Sequence, residues 1–306
     1  MVPVYNSDVA LPKLIKRLAP VLAESCTEFE VILVDDGSRT NVWKTIEELA
    51  ETHDWIRGVR LMRNFGQHNA LLCGVRMARH ELILTIDDDL QHPPEEIPKL
   101  LARLDEGFDV VYGTPSDEQH GLWRDVASQM TKIALRGAMG AETAMQVSAF
   151  RVFRAEVRDA FANYPGPFVS LDVLLTWGTT RFDAISVRHD ARVDGESNYT
   201  VRKLITHALN MTTGFSTVPL QIASLVGFAF TLLGLLMLVF VVGRYLIEGT
   251  SVPGFPFLAS MIAIFAGAQL FALGIIGEYI ARIHLRSMER PAYTIRTKIN
   301  TDSSPQ

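Results

Sequence analysis

Cysteine is scarce. Only Cys26 and Cys73 occur in 306 residues, and their spacing matches neither a metal knuckle nor a redox pair. A disulfide scaffold is thereby excluded, and two reduced thiols fit a cytoplasmic setting. Positive charge is not in excess either. The net charge is −5 and the pI about 5.9, which argues against a nucleic-acid partner. No G-x-G-x-x-G and no P-loop pattern appears, so neither a dinucleotide fold nor a P-loop NTPase is expected. No cleavable signal peptide is expected from the first residues. Met1-Val-Pro-Val-Tyr5 reads as the end of a strand, and a longer natural start is expected.

What is present is a cluster of acids. Thr85-Ile-Asp-Asp-Asp-Leu-Gln-His-Pro-Pro-Glu95 follows Glu81–Ile86, an apolar, β-branched run that reads as a buried parallel strand. A helix is expected to start near Glu95, with Pro98 in its first turn, Ile97, Leu100, Leu101 and Leu104 on one face, and Gly107 as its C′ residue. Three carboxylates then sit at the C-terminal end of a strand, where open α/β sheets hold ligands. If the strand persists, Asp87 and Asp89 point the same way and can share a divalent cation. One or two acids would suffice to complement a helix dipole. Three in a row repel one another, and a cation relieves that.

Residues 1–113 alternate strands and helices as βα units do. Strands are expected at 2–5, 29–34, 58–62 and 108–112, besides 81–86. Leu11, Leu14, Ile15, Leu18 and Leu22 form one helix stripe; Ala70, Leu71, Gly74, Val75 and Ala78 form another. Polar groups recur at successive strand ends: Asp35-Asp-Gly-Ser38, Arg63-Asn-Phe-Gly66, then Asp87–Asp89. Gly37 permits a tight turn and Ser38 is placed to cap the next helix. The ligand suggested is a nucleotide with a diphosphate.

These segments, with Val2-Pro-Val-Tyr-Asn6, resemble glycosyltransferase family 2. Within it they are similar to the polyprenyl-phosphate branch, which includes dolichyl-phosphate mannose synthases and bactoprenol glucosyltransferases. The resemblance implies a GT-A fold, a nucleotide-sugar donor, Mg²⁺ or Mn²⁺, a polyprenyl-phosphate acceptor and inversion at the anomeric carbon. It casts Asp87 and Asp89 as the D-x-D acids, with Gln91 beside the metal. Pro3, Tyr5, Asp35, Asp36, Arg63 and Gly66 would hold base and ribose, with Asp87 and Asp88 nearby. Trp123-Arg124 resembles a helix over the active site, Phe150-Arg151 a segment placing a basic residue near the phosphates, and Arg192-x-x-Gly195-x-Ser197-x-Tyr199 a phosphate-gripping loop. Asp89, Arg124, Arg151, Arg192 and Ser197 are thus the candidate catalytic residues. His189 and His207 read as structural. Two departures stand out. Thr114-Pro115 replaces an arginine that relatives often carry, and Gln146-Val-Ser-Ala149 lacks the acids from which relatives draw a general base.

The last third changes solvent. Ile222–Gly243 is 22 residues without a charge, about 33 Å of helix at about 1.5 Å per residue, enough for a hydrocarbon core of about 30 Å. Pro253–Gly277 is a second uncharged run. Arg202 and Lys203 precede the first span, and Arg282, Arg286, Arg290, Arg296 and Lys298 follow the second, against Arg244 alone between them. The positive-inside rule puts both termini and the catalytic domain in the cytoplasm, in a multi-pass inner-membrane protein. The expected layout is a GT-A domain over 1–198, an amphipathic interfacial helix over 199–217, a transmembrane hairpin over 218–280 with spans about 220–244 and 253–277, and a cytoplasmic tail over 281–306. Gly267, Gly274 and Gly277 are placed to allow close helix packing, and homo-oligomerisation is left open.

Three functions compete. The favoured one is a metal-dependent hexosyltransferase that moves a single sugar to polyprenyl phosphate, with UDP-glucose as first donor by analogy. A processive polysaccharide synthase is disfavoured by the single short hairpin and the lack of Q-x-x-R-W. A transporter or non-catalytic scaffold is disfavoured by retention of the D-x-D acids and by spans without interior charge.

Overall fold

The computed structural model describes residues 1–115, 146–190, 218–248 and 254–300. The chain opens with β1 (Val2–Val4), α1 (Ala10–Ser25), β2 (Val31–Asp35), α2 (Val42–Thr52), β3 (Ile56–Leu61), α3 (Gln67–Met77) and β4 (Leu82–Thr85). A 3₁₀ turn at Pro94–Glu96 leads into α4 (Ile97–Asp105), then β5 (Val110–Pro115), β6 (Arg151–Arg154) and α5 (Leu171–Gly178). Last come β7 (Phe182–Val187), two long helices α6 (Val218–Glu248) and α7 (Phe255–Ser287), and β8 (Ile295–Ile299).

The expected α1 stripe is in the core: Leu11, Leu14, Ile15 and Leu18 are fully buried under β1 and β2. Each such side chain contributes about 1.5–3 kcal/mol of burial. α2, for which no apolar stripe was named, is held by the same spacing, with Val42, Trp43, Ile46 and Ala50 buried. Gly107, at φ +108°, closes α4 through its N–H to the Leu104 carbonyl, as expected of a C′ glycine.

The strands form two four-stranded sheets, β1-β2-β3-β8 and β4-β6-β5-β7. Parallel pairing joins β1 to β2 and β2 to β3. The sheets meet at Met1, whose amine donates to Leu84 O at 2.8 Å while Ile86 N–H donates to Met1 O at 3.2 Å. That reciprocal pair is the parallel pattern, so β4 continues the first sheet alongside β1. The expectation of a wholly parallel β4 needs correcting. On its other side β4 pairs with antiparallel β6, Leu82 opposite Arg154 and Thr85 opposite Arg151. A strand arriving from 66 residues later leaves no local trace in the β4 sequence.

The end of the chain also departs from expectation. α7 runs ten residues past Gly277, and β8 then pairs antiparallel with β3. Residues 281–300 are therefore built into the domain and do not trail as a tail. Asn300 fastens β8, its Nδ2 donating to Ala50 O and Ile56 O, both at 3.0 Å.

Two helical segments, Pro219–Ile247 and Ile264–Ser287, are long and apolar enough to cross a membrane. They touch through Phe230 and Phe265, ring centroids 5.8 Å apart. Within the hairpin the close contact falls at another glycine than expected. Among the described residues, a Cβ on Gly267, Gly274 or Gly277 would meet nothing within 4 Å, whereas one on Gly234 would lie 3.0 Å from Phe265 Cζ. The expected interfacial helix at 199–217 lies outside the described residues.

Asn300→Ala removes the donor for two partly buried carbonyls and puts alanine at φ +53°. It should lower stability by about 1–3 kcal/mol, read as a fall in thermal midpoint. An unchanged midpoint would show that β8 holds without this amide.

Candidate active site

Four strand-end segments interlock. Asp35 ends β2 fully buried, accepting Ser38 N–H at 2.8 Å through Oδ1, with Arg60 Nε 3.3 Å from Oδ2. Asp36 accepts Phe65 N–H at 2.7 Å and Gly66 N–H at 2.8 Å, one on each oxygen. The Asp-Asp-Gly-Ser turn is thereby bolted to the Arg63–Gly66 loop. Gly37 is required by this contact. It sits at φ +66°, and a Cβ there would lie 2.4 Å from the Arg63 carbonyl carbon. Ser38 does not cap α2, which starts four residues on; its Oγ accepts Asn6 N–H at 3.0 Å, and Asn6 Oδ1 accepts Arg39 N–H at 2.9 Å. The β1 end is tied across as well, since Tyr5 N–H donates to Asp88 Oδ2 at 3.2 Å.

Of the expected nucleotide residues, Tyr5 and Arg63 are exposed on this rim, Arg63 with its guanidinium 4.1 Å over the Phe65 ring. Gly66 starts α3 at φ +100°. Pro3 lies elsewhere: it is buried inside β1 opposite Val34 and offers no surface to a base. Asp36 has both oxygens committed to the loop after β3, whereas Asp35 commits Oδ1 to the turn and keeps Oδ2 buried beside Arg60 without a hydrogen bond.

The acid cluster adopts a turn. β4 stops at Thr85, so strand alternation does not align Asp87 with Asp89, contrary to expectation. Leu90 at φ +62° turns the chain, and Gln91 N–H donates to Asp89 Oδ1 at 3.1 Å. Asp87 Oδ1 accepts Gln67 Nε2 at 2.7 Å. Burial, then Asp89 and Asp88, push the Asp87 carboxyl up to about 7. Burial likewise raises Asp88, and raises Asp36 to about 6 against the pull of two N–H donors. The loop is pinned on its far side by Asp190 N–H to Gln91 O at 2.8 Å and by Arg17, which donates twice to Glu95 at 3.0 and 2.7 Å.

Beneath the acids lies Arg151, 1% exposed. Its Nε donates to Thr85 Oγ1 at 3.0 Å and its terminal nitrogen pairs with Asp172, which also accepts Tyr112 OH at 3.3 Å. The expectation that Arg151 meets substrate phosphate is corrected: a guanidinium this buried, with Nε on Thr85 and a terminal nitrogen on Asp172, supports the cluster from below. Asp172 and Gln67 were missed by sequence reasoning. Gln67 could have been found as the residue following the Arg63–Gly66 motif. Asp172 has no such signal, because its partner is 21 residues away.

His189 is exposed and meets His92 edge-on at 5.0 Å. His92 packs 5.4 Å from Phe150, and burial lowers it to about 4. Arg124, Arg192, Ser197 and His207 lie outside the described residues. A cavity of about 720 Å³, lined by Leu18, Cys26, Glu30 and Arg79 among others, opens at the opposite ends of the strands and is no part of this site.

Removing Arg151 as Arg151→Ala leaves Asp172 buried and unpaired, which should cost about 3–5 kcal/mol; a cost under 1 kcal/mol in chemical denaturation would refute the pairing. A second expected outcome concerns pH. A free aspartate ionises at 3.8, whereas folded Asp87 keeps its proton to about 7. Between those values the folded state binds more protons, so this stabilisation is complete below about 4 and is lost as pH rises through 7. In chelator, the thermal midpoint of wild type should fall from pH 5 to 7 more steeply than that of Asp87→Asn. Equal slopes would exclude Asp87 as the source.

The family model described as glycosyl transferase family 2 matches residues 1–161. The undecaprenyl-phosphate 4-deoxy-4-formamido-L-arabinose transferase of Proteus mirabilis is 35% identical over 299 residues, covering 97% of this chain and 92% of the relative. Its Pseudomonas aeruginosa counterpart is 32% identical over 307 residues, covering 99% and 91%. Glucosyl-3-phosphoglycerate synthase from Mycobacterium tuberculosis, solved with Mn²⁺, UDP-glucose and phosphoglyceric acid, aligns with a TM-score of 0.51 at 17% identity, over 69% of this chain and 75% of that one. That likeness confirms the expected GT-A architecture. The interlocked strand ends and the full-length relatives agree: the chain belongs to glycosyl transferase family 2.

Proposed function

We propose that the protein transfers one sugar, with inversion, from a nucleotide sugar to a polyprenyl phosphate at the cytoplasmic face of the membrane. The observation that carries this reading is the single rim formed by the loops at Tyr5, Asp36, Arg63 and Asp87–Asp89. The relatives' names favour undecaprenyl phosphate as acceptor. They also put a 4-formamido pentose ahead of glucose as the first donor to test. Processive synthesis is less favoured, since the chain carries only two apolar helices long enough to span among its described residues.

The rim's donor set fits a divalent cation. Asp87, Asp89 and Gln91 offer oxygen ligands on one turn, although among the described residues no three acidic, imidazole or thiol side chains are gathered so as to hold a metal by themselves. Oxygen donors of this kind suit Mg²⁺ or Mn²⁺, which take one or two carboxylates and leave positions for substrate phosphates. When bound, the cation offsets the charge of the departing nucleoside diphosphate. The protein's own groups do the placing. Gln67 orients Asp87, the Asp36–Gly66 lock shapes the nucleoside rim, and Arg63 supplies exposed positive charge beside it.

The acceptor explains a missing base. Gln146–Ala149 carries no acid, and a sugar hydroxyl would need one. A phosphate monoester has a second pKa of about 6 and arrives mostly as the dianion. Holding two anions together then calls for positive charge and hydrogen-bond donors, roles we assign to Arg124, Arg192 and Ser197 from the family resemblance.

Orientation rests on topology and charge. If α6 and α7 cross the bilayer, the pairing of β8 with β3 puts the segment after α7 on the same side as the catalytic sheet. The excess of Lys and Arg outside the hairpin favours the cytoplasm as that side.

Asp89→Asn should fold normally yet lose turnover, as should wild type in chelator; an active Asp89→Asn enzyme would remove Asp89 from the site. Arg192→Ala should cost far more turnover than Gln146→Ala, chiefly through acceptor KM, and polyprenol lacking the phosphate should not be glycosylated. Lipid-linked product is the readout, and efficient use of polyprenol would overturn the acceptor.

A further inference from the structure

A second pocket lies where the catalytic domain rests on the end of α7. It has a volume of about 440 Å³ and is lined by Asp159, Asn163, Tyr164, Trp177 and Arg286 among others. Tyr164 forms its floor, donating to Phe168 O at 2.8 Å and taking a hydrogen bond from Arg286. Trp177 stands edge-on to Tyr164 at 5.6 Å and is 51% exposed. Asp159 is exposed and has no ion-pair partner among the described residues. None of these residues belongs to the rim that holds Asp87.

Position says what reaches this pocket. Ile276, Ile280 and Ile283 are exposed at 42%, 59% and 67%, and their spacing puts them on one face of α7. An apolar stripe thus continues to within one turn of Arg286, about 4.5 Å along the axis. The headgroup layer beyond the hydrocarbon is about 5–7 Å thick on each side. Exposed Phe168, with Arg282 5.6 Å from its ring centre, and exposed Trp177 are the aromatic and basic residues that favour that layer.

We propose that this pocket binds the headgroup of a zwitterionic phospholipid, resting on the reading of α6 and α7 as membrane spans. Arg286 takes the phosphate. Asp159 takes the ammonium, with the exposed Trp177 ring beside it as a cation-binding face. A pocket that carries one cation and one anion favours a zwitterion over an anionic glycerol headgroup. Occupation would wedge a bilayer lipid between the domain and α7, fixing the height of the catalytic rim above the acceptor phosphates.

The test uses the full chain in detergent, titrated with dihexanoyl phosphatidylethanolamine or dihexanoyl phosphatidylglycerol while the thermal midpoint is followed. The ethanolamine lipid should raise the midpoint saturably. Asp159→Asn and Arg286→Gln should each weaken its apparent affinity about tenfold, the loss of one charge-assisted hydrogen bond. The glycerol lipid should need about tenfold more than the ethanolamine lipid on the same scale. Asp159 is exposed, so its variant keeps the test valid if Arg286→Gln folds poorly. Variants responding like wild type, or equal responses to both lipids, overturn the proposal while the chain still sediments with carbonate-washed membranes. Recovery of the chain in the soluble fraction without detergent would instead overturn the membrane reading itself.

Discussion

The site hangs on one carboxylate. Asp36 accepts two consecutive backbone N–H groups, from Phe65 and Gly66, and so fuses the turn after β2 to the loop after β3. Without that bond the two loops have no reason to approach closely enough for Gly37 to lie against the Arg63 backbone. Once fused, they fix Ser38, which receives Asn6 N–H, and so draw in the end of β1. Tyr5 N–H then reaches Asp88 and brings in the acid cluster. Each link is backbone to side chain, so the rim is rigid even where its own side chains are exposed. Rigidity of this kind is what a transferase needs to hold a leaving group in line.

Charge is layered under that rim. Asp172 is buried, Arg151 covers it, and Asp87 lies above Arg151. Asp172 neutralises most of the arginine, so little positive charge is left for Asp87, whose proton is held to about 7. The acids of the cluster thus outweigh the positive charge set beneath them. On the proposed reading, that imbalance favours a divalent ion over a monovalent one.

Much of this was legible in the sequence, because local rules wrote it. The α1 stripe, the C′ role of Gly107 and the recurring strand-end motifs depend on neighbours within a few residues. What was hidden depends on residues far apart. β6 inserts antiparallel beside β4 from 66 residues downstream, and β8 returns to β3 from beyond both long helices. Asp172 is invisible as a partner until the fold brings Arg151 to it. Pro3 was misplaced because a motif names a residue without saying which way its strand faces. The spans' glycines misled for a related reason: small residues permit close packing, but the facing Phe265 chose Gly234.

The returning strand gives the two long helices a second consequence. Asn69, on the first turns of α3, is buried and donates through Nδ2 to Pro167 O at 3.0 Å and to Ala292 O. One amide thus joins the helix that carries Gln67, the loop that meets Arg282, and the segment leaving α7. A soluble domain tethered by a flexible linker would sample many heights above the bilayer, and its encounter with a lipid-borne phosphate would carry that entropy cost. Here α7 enters the domain as a continuous helix and its sequel is hydrogen-bonded into the sheet. On the membrane reading, the distance from rim to headgroup layer is then set by the rise of a helix and not by diffusion of a linker. The acceptor phosphate needs only lateral motion in the plane of the bilayer to reach it.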